Sequence, residues 1–144
     1  IASIVPRAGV QPSSFDDARV RGELLEPLVG DKHVLSGGFA ADIARGPIVE
    51  LRAQRREFSV TEKQFYAFVT WSPRERLRGE TTFRVYDEAN RLMGSSDPRK
   101  INFRPNELVM SSWQIPVFKQ PGLYRVELLF AGKPAWRDYV RIQP

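Results

Sequence analysis

Apolar and polar side chains alternate along several short stretches between residue 49 and the C-terminus. In the last third of the chain, one such stretch places four apolar residues on a single parity: Tyr124, Val126, Leu128 and Phe130. A two-residue period is typical of a β-strand with one face on a core and the other in water. Turn-forming residues separate the stretches, as at Pro121-Gly122 and around Gly132. The pattern predicts about seven short strands and almost no helix.

One stretch differs from the others because both of its faces carry bulky side chains. Between Gln64 and Trp71, one parity holds Phe65, Ala67, Val69 and Trp71, and the other holds Tyr66, Phe68 and Thr70. A strand that is apolar on both faces is typically covered on both sides. We therefore expect this strand to lie in the middle of its sheet.

The first 31 residues do not show this alternation clearly. Ser14 followed by Asp17 resembles a capping box that opens a helix. Residues 18–24 alternate like a strand instead, Gly22 weakens a helix, and Pro27 ends one. We favour a strand or an irregular arm for residues 15–31. The predicted organisation is a flexible N-terminal arm or tether over residues 1–31 and a β-sandwich domain over residues 32–144.

The C-terminal third resembles the end of immunoglobulin-like and fibronectin-type sandwiches. The residues that carry the resemblance are Trp113, then Pro121-Gly122-Leu123-Tyr124, an alternating strand, a tight hairpin and a last strand. It is also similar to bacterial exported domains of unknown function that contain such sandwiches. The resemblance implies an all-β, immunoglobulin-like antiparallel sandwich, in which the Tyr124 hydroxyl bonds back to the backbone as a tyrosine corner. Fold alone does not imply function.

The composition excludes several kinds of chemistry but does not identify a particular one. The chain has 144 residues and no cysteine, which excludes thiol nucleophiles, thiolate zinc sites and disulfides. No apolar run approaches the ~20 residues that a membrane helix needs, so no transmembrane segment is expected. The first residue is Ile1, which begins a small, mixed segment over residues 1–6. A removed targeting signal is one interpretation, and a cloning boundary would look the same. We therefore favour an exported protein of the periplasm or cell envelope over a cytoplasmic one.

Basic residues outnumber acidic ones, and several of them are grouped. The formal net charge is +5. Three groups stand out: Arg52, Arg55 and Arg56; Arg74, Arg76 and Arg78; and Arg99, Lys100 and Arg104 beside Phe103. Basic residues beside aromatic rings can hold phosphates while the rings stack on bases, so nucleic-acid binding is one alternative. Acidic residues lie within or beside the first two groups. Cross-strand ion pairs with them would neutralise much of the positive charge.

A second candidate surface lies beside the last hairpin. Trp136, Arg137 and Tyr139 are close in sequence, and these residue types are enriched in protein interfaces. An exposed Trp136 would suit such an interface, and burial of this side chain under the N-terminal arm is the alternative.

The chain has a single histidine, His33, which is the only candidate for a general base. Asp31, Ser36 and Asp42 lie near it, but no nucleophile-elbow pattern surrounds Ser36. The simpler interpretation is a loop histidine, and an enzyme that uses His33 is the least favoured alternative. No cofactor or metal site is predicted.

These observations favour a non-catalytic protein-interaction or assembly module in an exported or cell-envelope complex. A protein partner or a second copy of the chain is expected to bind an open strand edge or the loops at one end of the sandwich. Nucleic acid is a possible partner but not the favoured one.

Overall fold

The structure is a computed structural model that describes residues 25–28, 33–44 and 50–144. Within these residues the chain is all-β and contains ten strands and no helix. In chain order the strands are β1 (Val34–Ala44), β2 (Glu50–Gln54), β3 (Glu57–Ser59), β4 (Gln64–Trp71), β5 (Leu77–Tyr86), β6 (Leu92–Ser95), β7 (Arg99–Phe103), β8 (Val109–Pro116), β9 (Gly122–Phe130) and β10 (Lys133–Gln143). In this described part, no helix could span a membrane.

The strands form two sheets that share one core. The four-stranded sheet has the order β2-β1-β4-β8 and is antiparallel throughout. The larger sheet has the order β3-β10-β9-β5-β6, and β7 also pairs with β5. Strand β5 is long enough for its first half to pair with β7 and its second half with β6. Among the strand pairs of the described residues, only β3–β10 is parallel.

Aromatic side chains from both sheets fill the space between them. Phe65 and Trp71 of β4 and Trp136 of β10 are fully buried. The Phe39 ring packs between the two sheets, with its centroid 6.1 Å from that of Phe65 and 5.6 Å from that of Trp136. Burying an aromatic side chain of this size contributes about 1.5–3 kcal/mol relative to leaving it exposed. This cluster therefore makes a large contribution to the stability of the sandwich.

Several expectations from the sequence are confirmed. Strand β4 lies between β1 and β8, as its two bulky faces predict. The last hairpin turns at Ala131 and Gly132, which both have positive φ angles, as a two-residue turn of this kind requires. The Tyr124 hydroxyl donates a 2.6 Å hydrogen bond to the Gln120 carbonyl, which is the backbone contact expected for this residue. The strand count is ten rather than about seven, because the short β3 and the separate β6 and β7 add to it.

A short part of the predicted N-terminal arm packs against β10. Leu28 forms an isolated antiparallel bridge with Arg137, with two backbone hydrogen bonds of 2.9 Å. Leu25 is buried, and its carbonyl accepts a 2.7 Å hydrogen bond from the Tyr139 hydroxyl. Residues 25–28 are therefore attached to the sandwich. The rest of the predicted arm, residues 1–24 and 29–31, lies outside the described residues.

Candidate functional site

A groove of about 400 Å³ opens between the two sheets along the β8 side of the sandwich. One wall belongs to β8, and the other belongs to β5 and to the segment that joins β6 to β7. The lining is rich in hydroxyl groups and also holds one acidic, one basic and two aromatic side chains. The residues are Thr81, Phe83, Ser95, Ser96, Asp97, Pro98, Arg99, Ser111, Ser112 and Trp113.

Residues 96–99 form one wall of the groove, and both ends of this segment are fixed to β5. The Ser96 amide donates to the Phe83 carbonyl at 2.9 Å, and the Phe83 amide donates to Ser96 Oγ at 2.8 Å. At the other end, Thr81 Oγ1 donates to the Arg99 carbonyl at 3.1 Å. Because β5 is a central strand of the larger sheet, these bonds hold residues 96–99 in one place.

The hydrogen bonds made by the hydroxyl groups determine what each one offers to a ligand. Ser96 Oγ accepts from the Phe83 amide, and Ser111 Oγ accepts from Trp71 Nε1 at 2.9 Å. A serine hydroxyl has one proton and two acceptor positions, so both serines keep a proton to donate. Thr81 donates its own proton to the Arg99 carbonyl, so its oxygen is left as an acceptor. The groove therefore presents donors and acceptors in a fixed arrangement.

An aromatic pair forms the floor between the two walls. The Trp113 and Phe83 rings are stacked, with centroids 5.9 Å apart and an interplanar angle of 21°. Phe83 is buried, whereas Trp113 is half-buried and lines the groove. A Cβ on Gly94 would lie 3.7 Å from the Trp113 ring, so β6 packs against the indole. Part of the indole ring is therefore held at the groove surface.

Two side chains of opposite charge stand at the rim of the groove. Asp97 and Arg99 are both exposed and lie two residues apart. Among the described residues, neither side chain takes part in a salt bridge. Their formal charges cancel, so the groove is neutral overall, although the whole chain carries +5. Both groups are available to a ligand that can donate to a carboxylate and accept from a guanidinium.

The first predicted arginine group is divided among separate structural contacts. Arg55 donates to both carboxylate oxygens of Glu62, at 2.6 and 3.1 Å, and its guanidinium lies 4.4 Å above the Phe58 ring. Hydrogen bonding to Arg55 lowers the pKa of Glu62. Arg56 pairs with Asp138, whose carboxylate is fully buried. Arg52 is the third member of this group. It is exposed and lies on the edge strand β2, opposite Asp42 of β1.

The second predicted group lies in and beside the loop before β5. Arg74, Arg76 and Arg78 are all exposed, as the sequence indicated. Arg76 donates a 2.7 Å hydrogen bond to the side-chain carbonyl of Asn102 on β7. In the third group, Arg99 lies at the groove, and Lys100 is opposite Glu80 across the β5–β7 pair. The pairing of β7 with β5 places the second and third groups in and beside neighbouring strands, with Arg78 opposite Asn102. The first group lies in and directly after β2, at the edge of the other sheet.

The expectation of an exposed interface around Trp136 is corrected by the structure. Trp136 is fully buried between the sheets, because its parity on β10 faces the core. Arg137 and Tyr139 face the other way but are 7% and 4% exposed, respectively. Arg137 Nε donates to Glu127 at 2.6 Å, and Arg137 Nη1 contacts the carbonyl of Glu26 at 3.3 Å. Within the folded chain these side chains are structural contacts.

Burial also changes the acidity of Tyr139. Desolvation raises the pKa of this phenol to about 12, against the smaller, opposing effects of Arg125 and Arg137. Its hydroxyl donates to the Leu25 carbonyl, so the neutral form is also the form that is hydrogen-bonded. Tyr139 therefore joins residues 25–28 to β10.

His33 lies directly before β1 and is partly buried. Its carbonyl accepts a 2.7 Å hydrogen bond from the Ser72 amide, and its ring makes an edge contact with Phe130 at a centroid distance of 6.1 Å. These contacts give the residue a structural role. Asp31, the neighbouring acid that a catalytic use of His33 would involve, lies outside the described residues.

Comparisons with known proteins identify the fold but no family. No family model and no curated protein matches the chain. The C-terminal domain of wzt superposes with a TM-score of 0.56 at 6% identity, over 83% of this chain and 78% of that domain. The likeness supports the all-β fold alone.

Two larger enzymes also contain a similar region. One is the Pseudomonas fluorescens alkylpurine DNA glycosylase AlkC, with a TM-score of 0.49, 7% identity and 62% of this chain covered. The other is a Listeria innocua β-glucosidase, with a TM-score of 0.49, 13% identity and 75% of this chain covered. The matched region is 28% of the glycosylase and 16% of the glucosidase.

Proposed function

We propose that the chain is a non-catalytic binding module and that the groove beside β8 is its binding surface. The observation that carries this proposal is the pair Asp97 and Arg99. These are exposed, oppositely charged side chains without a salt bridge in the described chain, on a segment that hydrogen bonds fix to β5. Arg55, Arg56 and Arg137, by contrast, are used in contacts with acidic residues of the same chain.

Polar groups that are already fixed favour binding, because less conformational entropy is lost when a ligand associates. A side chain that must be immobilised when a partner binds costs about 0.5–1.5 kcal/mol. Residues 96–99 are held in place before any partner arrives, and the Ser96 and Ser111 hydroxyls already have defined orientations. Each hydrogen bond to a charged group is worth about 1.5–3 kcal/mol. A ligand that satisfies both Asp97 and Arg99 would therefore bind selectively.

The place of this module in the cell is part of the same proposal. We propose a component of an exported or cell-envelope complex, with recognition of its ligand as its contribution to that complex. The motivation is the exported-domain resemblance of the sequence together with a polar, open groove. A cytoplasmic location of the native protein, measured by fractionation of its source cells, would remove this part of the proposal and leave the groove as the binding surface.

The binding role can be tested with a matched pair of double variants. In the first, Asp97→Asn and Arg99→Gln remove both rim charges of the groove. In the second, Arg74→Gln and Glu75→Gln remove one positive and one negative charge from an exposed loop elsewhere. Each immobilised protein is incubated with an extract of its source cells, and the retained material is analysed for protein, nucleic acid and glycan.

The proposal predicts that wild type and the loop variant retain the same component and that the groove variant loses it. Thermal unfolding of all three proteins shows whether the groove variant is folded. Equal retention by a folded groove variant, or no retained component at all, would contradict the proposal.

A further inference from the structure

We infer that the ligand of the groove is a neutral saccharide, which rests on the proposed binding function and adds the chemical class of the ligand. The first reason is the mixed polarity of the side chains. Ser96, Ser111 and Arg99 offer protons, whereas Thr81 and Asp97 offer acceptor oxygens. Each hydroxyl of a sugar both donates and accepts, and neighbouring hydroxyls lie close together. A sugar can therefore satisfy closely spaced donors and acceptors at the same time.

The second reason is the charge balance of the groove. Asp97 and Arg99 cancel, so the groove lacks the excess of positive charge by which proteins bind phosphate backbones and other polyanions. The basic residues that give the chain its net charge lie mostly elsewhere, as at Arg52, Arg74 and Arg78. A neutral ligand avoids the repulsion that a charged one would meet from one of the two rim side chains.

The third reason is the aromatic floor formed by Trp113 and Phe83. Trp113 is held against Phe83 and is half-buried, so part of its ring remains at the groove surface. The C–H bonds on one side of a sugar ring carry a small positive charge, and the face of an aromatic ring is negative. The volume of about 400 Å³ lies within the usual range for small-ligand sites, although hydroxyl groups line this one. The groove can thus contact both the polar edge and the apolar face of a sugar ring.

An extended polypeptide is the other ligand that offers neutral donors and acceptors. Peptides that join a sheet are recognised mainly by backbone groups of the edge strand. The fixed polar groups of this groove are side chains, and two of them, Thr81 of β5 and Ser96 after β6, lie on the wall opposite β8. The arrangement favours a saccharide over a polypeptide, and the experiment separates the two.

The test is a titration of the isotope-labelled chain, followed by the amide signals of Ser96 and Arg99 and the indole N–H signal of Trp113. The probes are maltotriose, cellotriose, mannotriose, the neutral polysaccharide fraction of the source cells, and an uncharged glycine–serine peptide. We expect at least one saccharide probe to shift all three signals saturably. The affinity should fall about tenfold or more in Asp97→Asn and in Arg99→Gln, because each loses a charged hydrogen-bonding partner. An Arg74→Gln variant should bind like wild type.

The results distinguish this inference from the binding role itself. If the peptide shifts the three signals and no saccharide does, the saccharide inference is wrong and the groove remains a binding surface. If the saccharides leave the signals unchanged while the groove variant still loses a component of the cell extract, the ligand belongs to another class. If no probe shifts the three signals and the groove variant retains the same components of the extract as wild type, both proposals are wrong.

Discussion

Gly37 of β1 lies directly against the indole of Trp136 across the interior of the sandwich. A Cβ placed on Gly37 would be 2.5 Å from Trp136 Nε1 and 2.8 Å from the Phe68 carbonyl oxygen. Trp136 is fully buried, so the ring has little room to move away. The absence of a side chain at residue 37 is therefore what lets the two sheets close over this tryptophan.

Gly37→Ala should destabilise the fold. Overpacking of a well-filled core costs about 1–3 kcal/mol, which exceeds the ~0.4–1 kcal/mol that a Gly→Ala change gains from the unfolded state. Gly38→Ala is the matched control, because its Cβ would lie 3.2 Å from the end of the Phe68 ring and meet no backbone atom. Denaturant unfolding measures both variants. A Gly37→Ala protein as stable as wild type would show that the sheets can separate here at little cost.

Tyr139→Phe should change how stability depends on pH in the alkaline range. The pKa of Tyr139 is raised to about 12, whereas an unfolded tyrosine titrates near 10. Between these values the unfolded chain has lost the proton and the folded chain keeps it, so the free energy of unfolding falls as pH rises. The decline due to this residue is about 2–3 kcal/mol, at ~1.36 kcal/mol per pKa unit.

The comparison of interest is therefore between Tyr139→Phe and wild type from about pH 9 to pH 12. The variant should be less stable at neutral pH by about 1 kcal/mol, because it loses the hydrogen bond to the Leu25 carbonyl. This deficit should shrink as pH rises. Tyr66→Phe, at a half-buried residue of β4, is the control and should keep the alkaline decline of wild type. A difference in stability that stays constant from about pH 9 to pH 12 would contradict a raised pKa of Tyr139.

The two neighbouring arginines Arg52 and Arg56 should respond differently to the same substitution. Arg56→Ala removes one partner of the buried Asp138 carboxylate and should cost about 1–3 kcal/mol. Arg52→Ala removes an exposed side chain of an edge strand and should stay within about 0.5 kcal/mol of wild type. Thermal or denaturant unfolding measures both. Equal effects would mean that the Arg56–Asp138 pair does not contribute to stability.

The nucleic-acid alternative gives a separate prediction. Arg55 and Arg56 are paired with acidic residues. In the other two groups, which lie in and beside the paired strands β5 and β7, Lys100 is opposite Glu80 and Arg76 is hydrogen-bonded to Asn102. We expect no mobility shift of a single-stranded oligonucleotide at an ionic strength of about 0.15 M. Binding that falls steeply with salt and is lost in an Arg74→Gln, Arg78→Gln variant would establish the alternative instead.

The sequence predicts the strands well because their signals are local. The two apolar faces of residues 64–71 indicate an interior strand, and the structure gives β4 those bounds. The turn at Gly132 and the Tyr124 contact also depend on residues that are close in sequence. Alternation does not say whether the second face of a strand is covered. The cover that residues 25–28 give to Tyr139 is therefore not visible in the pattern. The position of Trp136 beside the hairpin turn indicates a surface, but the structure buries this side chain between the sheets.

The groove could not be predicted in the same way. Its lining comes from Thr81 and Phe83, from residues 95–99 and from residues 111–113, which meet only when the two sheets pack. In the sequence, residues 94–98 form a polar loop, and Arg99 belongs to a basic group with Lys100 and Arg104. The one local signal was a change of charge between Asp97 and Arg99. Nothing in the pattern indicates that Trp113 and Phe83 stack below them.

Oxidative footprinting of the chain, in buffer and in an extract of its source cells, tests directly whether the groove is the binding surface. We predict that Trp113 and the other groove residues become protected in the extract. Leu35 and Leu108, which are exposed and lie outside the groove lining, should keep their reactivity. Protection of Leu35 or Leu108 with an unchanged Trp113 would contradict the claim that the groove is the binding surface.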